Sequence, residues 1–197
     1  KYLNISNSKV WFQRLSFIGE LGWEIYIPIK KTNTIFKKIK EFGKKYNLTY
    51  SGMHTLDILR LEKKFLHWGH DITSENNPFE SGLAFAVNFK KNENFIGRRA
   101  LEKIKDKPLK KRLELFSLKN KRRPGVPLML HDEPIFKDNK IVGHTTSSNF
   151  SFYYKKNICL AYIKDNIRDN EELFVEIEGK KYPLNLEKIP LHDPNSK

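Results

Sequence analysis

Large apolar and polar side chains alternate along residues 9–28, and this period of two predicts a β-hairpin. Gly19 and Gly22 interrupt the alternation and place Glu20 on the connection between the two strands, because glycine adopts positive φ and permits close backbone approach. An acid in this position is either an ordinary exposed turn residue or a ligand-binding group.

Two helices are predicted after the hairpin. The second, over residues 53–64, is apolar nearly all round and is therefore expected to be buried. Its exceptions are Asp57 and Arg60, which either form an ion pair within the helix or hold a ligand. The first, over residues 32–46, is amphipathic, with lysines on a solvated face and apolar residues at helical spacing: Ile35, Phe36, Ile39 and Phe42.

The segment FLHWGHDITSENNPFESGLAFAV, residues 65–87, concentrates histidine, tryptophan and acidic side chains. We interpret it as a polar and aromatic loop between buried elements, where binding residues often concentrate. His67, His70 and Asp71 are metal-ligand types, but their spacing places them on one face only in a helix. Because the intervening Trp-Gly pair favours a loop, no metal site is predicted.

The sequence changes character at residues 106–111, DKPLKK, which we interpret as a linker. Before it, a buried strand over residues 83–89 and a short helix over 97–105 are predicted. After it, short apolar segments separated by polar turns indicate a small antiparallel barrel or sandwich. The fold class is α+β, with an α+β part over residues 1–106 and an all-β part over 107–197. The strands of the second part are predicted over residues 112–118, 126–130, 134–142, 158–163, 172–177 and 181–186.

Composition narrows the class of protein. The 197 residues are 39% hydrophobic, which is enough for a core, and Cys159 is the single cysteine, which excludes an internal disulfide and suits a reducing cytoplasm. No apolar run is long enough to span a membrane. The formal net charge of +14 raises nucleic acid as a partner. The lysines mainly cover a solvated helix face without a nucleic-acid-binding signature, so we predict a cytoplasmic protein that does not bind nucleic acid.

Three motifs occur in order along the chain: SFIGELGWEIYIP, LDILRLEKKFLHWGHDIT, and NPFESGLAFAV followed by FIGRRAL. Together they resemble the folate-binding domain shared by the glycine cleavage aminomethyltransferase and the C-terminal parts of dimethylglycine and sarcosine dehydrogenases. The HWGHDIT form is similar to the dehydrogenase branch, in which a flavin domain comes first. The segments VGHTTSSNFSFYYKKNICLAYI and PLHDPNSK resemble the family's C-terminal barrel and tail. The resemblance implies a partial folate domain of a hairpin, two helices and a strand, followed by a small antiparallel β-barrel.

The resemblance also implies a tetrahydrofolate site. Glu20 would bind the pterin ring, since a carboxylate accepts two parallel hydrogen bonds from the 2-amino and N3 hydrogens. Arg60 would meet a carboxylate or carbonyl of the ligand while holding Asp57. Trp68 would add an aromatic wall, although packing in the core accounts for it equally well. Asp71 is the fourth residue predicted to bind the cofactor.

The catalytic aspartate of the family lies in a stretch before the hairpin that has no counterpart here, so no residue is predicted to be catalytic. The chain is expected to be a fragment, a split chain or a truncated relative, and FAD is expected only in a separate or missing N-terminal domain. A departure from the family pattern, TSSN at residues 146–149 without the usual glycine, bears on the loop geometry of the barrel.

The implied function is part of a tetrahydrofolate-dependent one-carbon transferase. It would take an aminomethyl or methylene unit from a methylated amine or aminomethyl donor, with a missing N-terminal half or a flavin subunit as its partner chain. The alternative is a non-catalytic module that keeps the fold and binds a partner chain or nucleic acid through its basic surface.

Overall fold

The computed structural model describes residues 1–119, 123–124, 127–190 and 192–193. The described chain divides into two compact units, one of residues 1–60 and one that begins at Leu61. The predicted strand over residues 126–130 begins outside the described residues, and so does most of the PLHDPNSK tail.

The first unit contains a three-stranded antiparallel sheet in the order β1-β2-β3. Its strands are β1 Tyr2–Ile5, β2 Ser8–Gln13 and β3 Glu24–Tyr26. The pairing of β2 with β3 confirms the predicted hairpin. Strand β1 was not predicted; it pairs with β2 across a tight turn in which Ser6 and Asn7 both have positive φ. That conformation matches the right-handed twist of the flanking strands.

Two helices follow the sheet, as predicted. Helix α1, Thr32–Gly43, continues into a 3-10 turn that ends at Tyr46, and Ile35 is its fully buried residue. Helix α2, Met53–Glu62, is less buried than its composition suggested, since Met53 is exposed and burial becomes complete only near Arg60. An all-round apolar pattern shows that a helix can be buried, but not how much of it the surrounding chain covers.

Residues 83–89 are neither a strand nor buried, so that prediction was wrong. They contain a 3-10 helix, Ala84–Ala86, and the side chain of Phe85 is 85% exposed. Gly82 at φ +70° turns the chain before this segment, and the amide of Leu83 donates to the carbonyl of Pro78, so the apolar run begins in a turn. The short helix predicted after it is present as α3, Arg98–Glu102.

The second unit contains a closed six-stranded antiparallel barrel in the order β4-β7-β6-β5-β8-β9, which confirms the prediction of a small antiparallel barrel. The segment predicted as one strand over residues 134–142 is a hairpin, with Asp138 and Asn139 at positive φ in the turn. The barrel strands are β4 Lys111–Leu118, β5 Pro134–Lys137, β6 Lys140–Ser151, β7 Lys156–Lys164, β8 Phe174–Ile177 and β9 Lys180–Glu187.

Residues 127–130 do not form the predicted strand. Their carbonyl groups accept hydrogen bonds from side chains of β6 and β7 instead of from a neighbouring strand. Asn157 donates to Pro127, Ser148 to Met129 and Thr145 to Leu130, at 2.8, 2.6 and 2.8 Å. Backbone groups satisfied in this way need no strand partner.

The two sides of the barrel wall carry separate hydrophobic clusters. On β4, Phe116 and Leu118 belong to the cluster that fills the interior. Leu113 and Leu115 alternate with them and belong to a second cluster, which also contains Leu61 and, at its margin, Leu66. Because β4 is apolar on both sides, the chain that follows α2 packs on the outside of the barrel.

Candidate functional site

The loop between β2 and β3 carries Glu20, whose side chain is exposed. Gly19 has φ +75°, which side chains other than glycine rarely adopt. A Cβ atom at Gly22 would lie 2.7 Å from the carbonyl oxygen of Leu15, so the loop closes too tightly there for any side chain. Both glycines are therefore needed for the path of the loop that presents the Glu20 carboxylate. Its role toward folate stays a prediction.

Glu24 lies at the end of the same hairpin and accepts a hydrogen bond from the Tyr26 hydroxyl at 2.6 Å. This bond raises the pKa of Tyr26, because it stabilises the protonated phenol next to a carboxylate. Trp11 lies between two tyrosines across the sheet, with its ring 4.8 Å from that of Tyr26 and 6.1 Å from that of Tyr2. Glu24 thus holds the hydroxyl group of Tyr26, one of the three rings of this aromatic ladder.

Arg60 is buried and paired with Asp57 in its own helix. Its Nε and Nη2 atoms lie 2.8 and 2.6 Å from Asp57 Oδ1, while Asp57 itself is one-third exposed. Of the two alternatives for this pair, the intrahelical ion pair is present. A guanidinium held in this way is already oriented, and the further expectation that it meets a ligand stays a prediction.

Asp71 is fully buried and holds the HWGHD loop to the barrel. Its Oδ2 accepts the backbone N–H of His67 at 2.8 Å, and its Oδ1 accepts the hydroxyl of Thr146 at 2.6 Å. The amide of Asp71 also donates to the carbonyl of His67 at 2.9 Å. The carboxylate therefore closes its own turn and ties it to β6, while its predicted contact with the cofactor stays a prediction.

The TSSN segment lies inside β6 and not in a loop. The pairing of β6 with β7 shifts between Thr145 and Ser147, which leaves Thr146 as the extra residue of a β-bulge. The bulge turns the Thr146 hydroxyl toward Asp71. The sequence did not indicate this pair, because 75 residues separate its members.

A buried tyrosine extends the same polar contact region. The hydroxyl groups of Tyr162 and Ser81 lie 3.1 Å apart, and Lys111 Nζ lies 4.3 Å from the tyrosine ring centre. Burial raises the pKa of Tyr162. The carbonyl of Glu80 accepts the amide of Leu113 at 2.8 Å, so backbone and side chains together fasten residues 65–83 to strands β4 and β7.

Trp68 lies on the outside of this loop with 67% of its side chain exposed, so the alternative of a core tryptophan was wrong. The rings of His67 and His70 are 4.6 Å apart, and that of His131 is 6.5 Å from His70. Over the described ranges, no group of three or more histidine, cysteine or acidic side chains is arranged to hold a metal ion. The loop therefore presents aromatic faces at its surface.

Two buried charged residues were missed by the sequence analysis. Glu62 accepts a hydrogen bond from Ser151, and Lys63 Nζ lies 2.7 Å from Asp193 Oδ2. Both side chains are at least 95% buried. A run of charged residues at a helix end normally indicates a solvated surface, so no signal in the sequence marked these two.

The four predicted cofactor-binding residues fall in different units. Glu20 and Arg60 belong to residues 1–60, whereas Trp68 and Asp71 follow Leu61. No helix in the part of the chain that the structure describes has the length and apolar content of a membrane span.

Comparison with known proteins shows that each part of the chain matches a known domain family. Residues 1–91 match the GCVT N-terminal domain, and residues 111–193 match the glycine cleavage T-protein C-terminal barrel domain. Mouse mitochondrial dimethylglycine dehydrogenase is 34% identical over 97% of this chain and 22% of its own length. Human mitochondrial sarcosine dehydrogenase is 36% identical over 84% of this chain and 17% of its own length. The chain thus spans about a fifth of the length of these relatives.

The fold has a counterpart among solved structures. The crystal structure of glycine cleavage system aminomethyltransferase T from Bartonella henselae superposes with a TM-score of 0.81 at 22% identity. The match covers 94% of this chain and 50% of that one, and at this identity it establishes the fold alone. Because both domain types occur in order and together account for most of its residues, the chain belongs to the glycine cleavage T-protein family.

Proposed function

We propose that this chain is the tetrahydrofolate-binding part of a one-carbon transferase that moves an aminomethyl or methylene unit. The observation that carries the proposal is the β2–β3 loop, in which Gly19 and Gly22 determine the backbone path and Glu20 is exposed. The sheet behind it supplies a regular support, which is the usual arrangement for a binding loop.

The chemistry of the loop suits a pterin. A carboxylate accepts two parallel hydrogen bonds from the 2-amino and N3 hydrogens of the ring, and hydrogen bonds to a charged group are worth about 1.5–3 kcal/mol each. Gly19, directly before Glu20, has no side chain that would keep a flat ring away from the backbone. Loss of the charge is therefore expected to weaken binding by about one to two orders of magnitude.

We propose that further residues in each unit help Glu20 to bind folate. In the first, Arg60 offers a guanidinium oriented by Asp57 to a carboxylate or carbonyl of the folate. In the second, Trp68 offers an exposed flat face to an aromatic group, and Asp71 acts as a positioning residue that holds the loop of Trp68. These residues bind and orient, and catalysis by positioning alone can lower a barrier by about 7–11 kcal/mol in the best cases.

The one-carbon donor is proposed to be a methylated amine or an aminomethyl group. Relatives named dimethylglycine and sarcosine dehydrogenase support this class, and FAD, if used, is proposed to belong to a separate domain or subunit. No residue of this chain is proposed as catalytic.

The proposal is tested by calorimetric titration of the 197-residue chain with tetrahydrofolate under anaerobic conditions. We expect saturable binding that weakens at least tenfold in Glu20→Gln. The control Glu41→Gln, which removes an exposed acid from α1, should stay within twofold of the parent. Equal binding by both variants, or no binding by the folded parent chain, would contradict the proposal.

The second candidate function is that of a non-catalytic module that binds a partner chain or nucleic acid. The basic surface of α1 and of the turn before it favours this function. Lys30, Lys37 and Lys38 are exposed and form no ion pair with any residue that the structure describes. Binding to single-stranded RNA should then fall steeply with salt, whereas folate binding through paired hydrogen bonds should change little. RNA binding with that salt dependence, together with no folate binding, would favour this module.

A further inference from the structure

A cavity of about 300 Å³ lies in the second unit beside the chain that leads from β7 to β8. Its floor is apolar and includes Phe116, Ile163 and Leu184, which belong to the barrel interior and are almost fully buried. Leu173 and Leu186 complete the apolar lining. Ligand pockets are typically clefts with an apolar lining and a few polar groups, and this cavity has both.

The charged rim of the cavity is neutralised by its own ion pairs. Three acids line it, and each has a basic side chain within 3.3 Å. The pairs are Asp169 with Arg112 and Lys188, Glu171 with Lys137, and Glu172 with Lys119. A cationic ligand would have to displace one of these partners, so the rim does not favour a cation.

Three polar side chains in the lining retain unused hydrogen-bonding capacity. The exposed guanidinium of Arg168 forms no ion pair or hydrogen bond with the described residues. Its charge helps to lower the pKa of the neighbouring Glu171 carboxyl, whose main partner is Lys137. Within the described ranges, the carboxamides of Asn170 and Asn185 also form no hydrogen bond. One cation and two amides therefore remain above an apolar floor, a combination that matches an anion carried by an apolar body.

We infer that this cavity binds a small organic carboxylate with a compact apolar body. Arg168 would pair with the carboxylate, the two asparagines would donate to its oxygens, and the apolar body would lie on Phe116. The volume equals about ten water molecules at roughly 30 Å³ each, which admits a single-ring carboxylate and excludes a macromolecule. This site is independent of the proposed folate loop.

The test is a ¹H–¹⁵N correlation NMR titration of the full chain with phenylacetate and with its uncharged analogue phenylacetamide at matched ionic strength. We expect saturable shifts at the amides of Arg168, Asn170 and Leu186, with phenylacetate binding at least fivefold more tightly. Arg168→Met should abolish this preference, and Arg168→Lys should restore part of it. Lys140→Met, which removes an exposed cation that does not line the cavity, should leave it unchanged.

The unliganded spectra of the variants should overlay that of the parent away from the substituted residue, which establishes that each variant is folded. Equal affinity for the acid and the amide would overturn the inference. So would a preference that persists in Arg168→Met, or shifts that rise linearly and spread over the whole surface.

Discussion

The two units of this chain differ in how much of their apolar surface they bury. Among the described hydrophobic residues of the first unit, Val10 and Ile35 are the buried ones, whereas Leu21, Ile29 and Met53 are each more than 70% exposed. The barrel unit contains the other buried hydrophobic residues, and all of these except Phe150 belong to two clusters on the two sides of its wall. Since full burial of such a side chain is worth about 1.5–3 kcal/mol, most of the hydrophobic stabilisation belongs to the barrel unit.

The units also differ in how their buried charges are held. Arg60 is paired with Asp57, three residues earlier in the same helix. In the barrel unit, Asp71 is bonded to Thr146, and Lys63 to Asp193, over separations of 75 and 130 residues. The Arg60–Asp57 pair is thus local to one helix, in a unit that also carries an exposed loop suited to binding. The Asp71 and Lys63 contacts of the second unit form only when distant parts of that unit come together.

Substitution of Asp71 is expected to have the largest effect on the free energy of unfolding. Asp71→Ala should lower the free energy of unfolding by about 4 kcal/mol, because it leaves the His67 amide and the Thr146 hydroxyl without their charged acceptor. Urea denaturation measures this value. Glu20→Ala, at an exposed site of the first unit, should change it by less than about 0.5 kcal/mol. Equal effects of the two substitutions would remove the contrast between the units.

A smaller effect on stability is expected at Gly143 of β6, where the backbone of β7 leaves no room for a side chain. The Cβ atom of Gly143→Ala would lie 2.0 Å from the carbonyl oxygen of Tyr162, so the strands must separate, at a cost of about 3 kcal/mol. In the first unit, Gly52→Ala meets no atom within 4 Å and should be nearly neutral. Thermal unfolding followed by circular dichroism compares the two, and a stable Gly143→Ala protein would show that the barrel wall yields easily.

The comparison predicts unequal protection from hydrogen exchange. Amides of β7 should exchange at least about 100-fold more slowly than those of β2, because local opening of the first unit exposes less apolar surface. Hydrogen–deuterium exchange of the native chain, read by mass spectrometry of peptides, measures both in one sample. Similar protection in the two strands would mean that the units unfold as one.

The smallest predicted effect is the pH dependence of stability caused by Cys159. Burial raises the pKa of this thiol from its ordinary value of 9.0 to about 12. The thiol ionises at lower pH in the unfolded chain than in the folded protein, so ionisation favours the unfolded state. The contribution of the neutral thiol to the free energy of unfolding is therefore complete below pH 9 and is lost as the pH rises toward 12. Between pH 9 and 11 the thiol should reduce the free energy of unfolding by about 2 kcal/mol. Cys159→Ala should show a shallower alkaline loss, while an unchanged slope would mean that the thiol is not the titrating group.

Much of the fold was predicted from periodicity, and the errors have physical causes. The hairpin, both long helices and the barrel follow from local patterns of apolar residues. The strand prediction for residues 83–89 was wrong because a short apolar run is compatible with strand, helix or turn. Here a glycine with positive φ, Gly82, directly precedes the run. Strand β6 continues to Ser151 through polar residues, because Ser148 donates to the Met129 carbonyl and Ser151 to the Glu62 carboxylate.

In the candidate site, too, the local features could be predicted from the sequence and the long-range contacts could not. The glycines around Glu20 could be interpreted directly, since a turn depends on its own residues. The Asp57–Arg60 pair was one of two alternatives, because its members are one helical turn apart. The contact of Asp71 with Thr146 was missed, because no local pattern records which distant strand a carboxylate meets.

By itself, the sequence determined the β2–β3 hairpin, the two long helices, the glycine-dependent loop of Glu20, and membership of the glycine cleavage T-protein family. These features depend on neighbouring residues or on motifs in order. The tertiary structure alone decided that Asp71 and Lys63 are buried and paired, and that Trp68 is exposed. The reason is physical: whether a charged or aromatic side chain is buried depends on partners brought to it by the folded chain, and those partners lie far away in sequence.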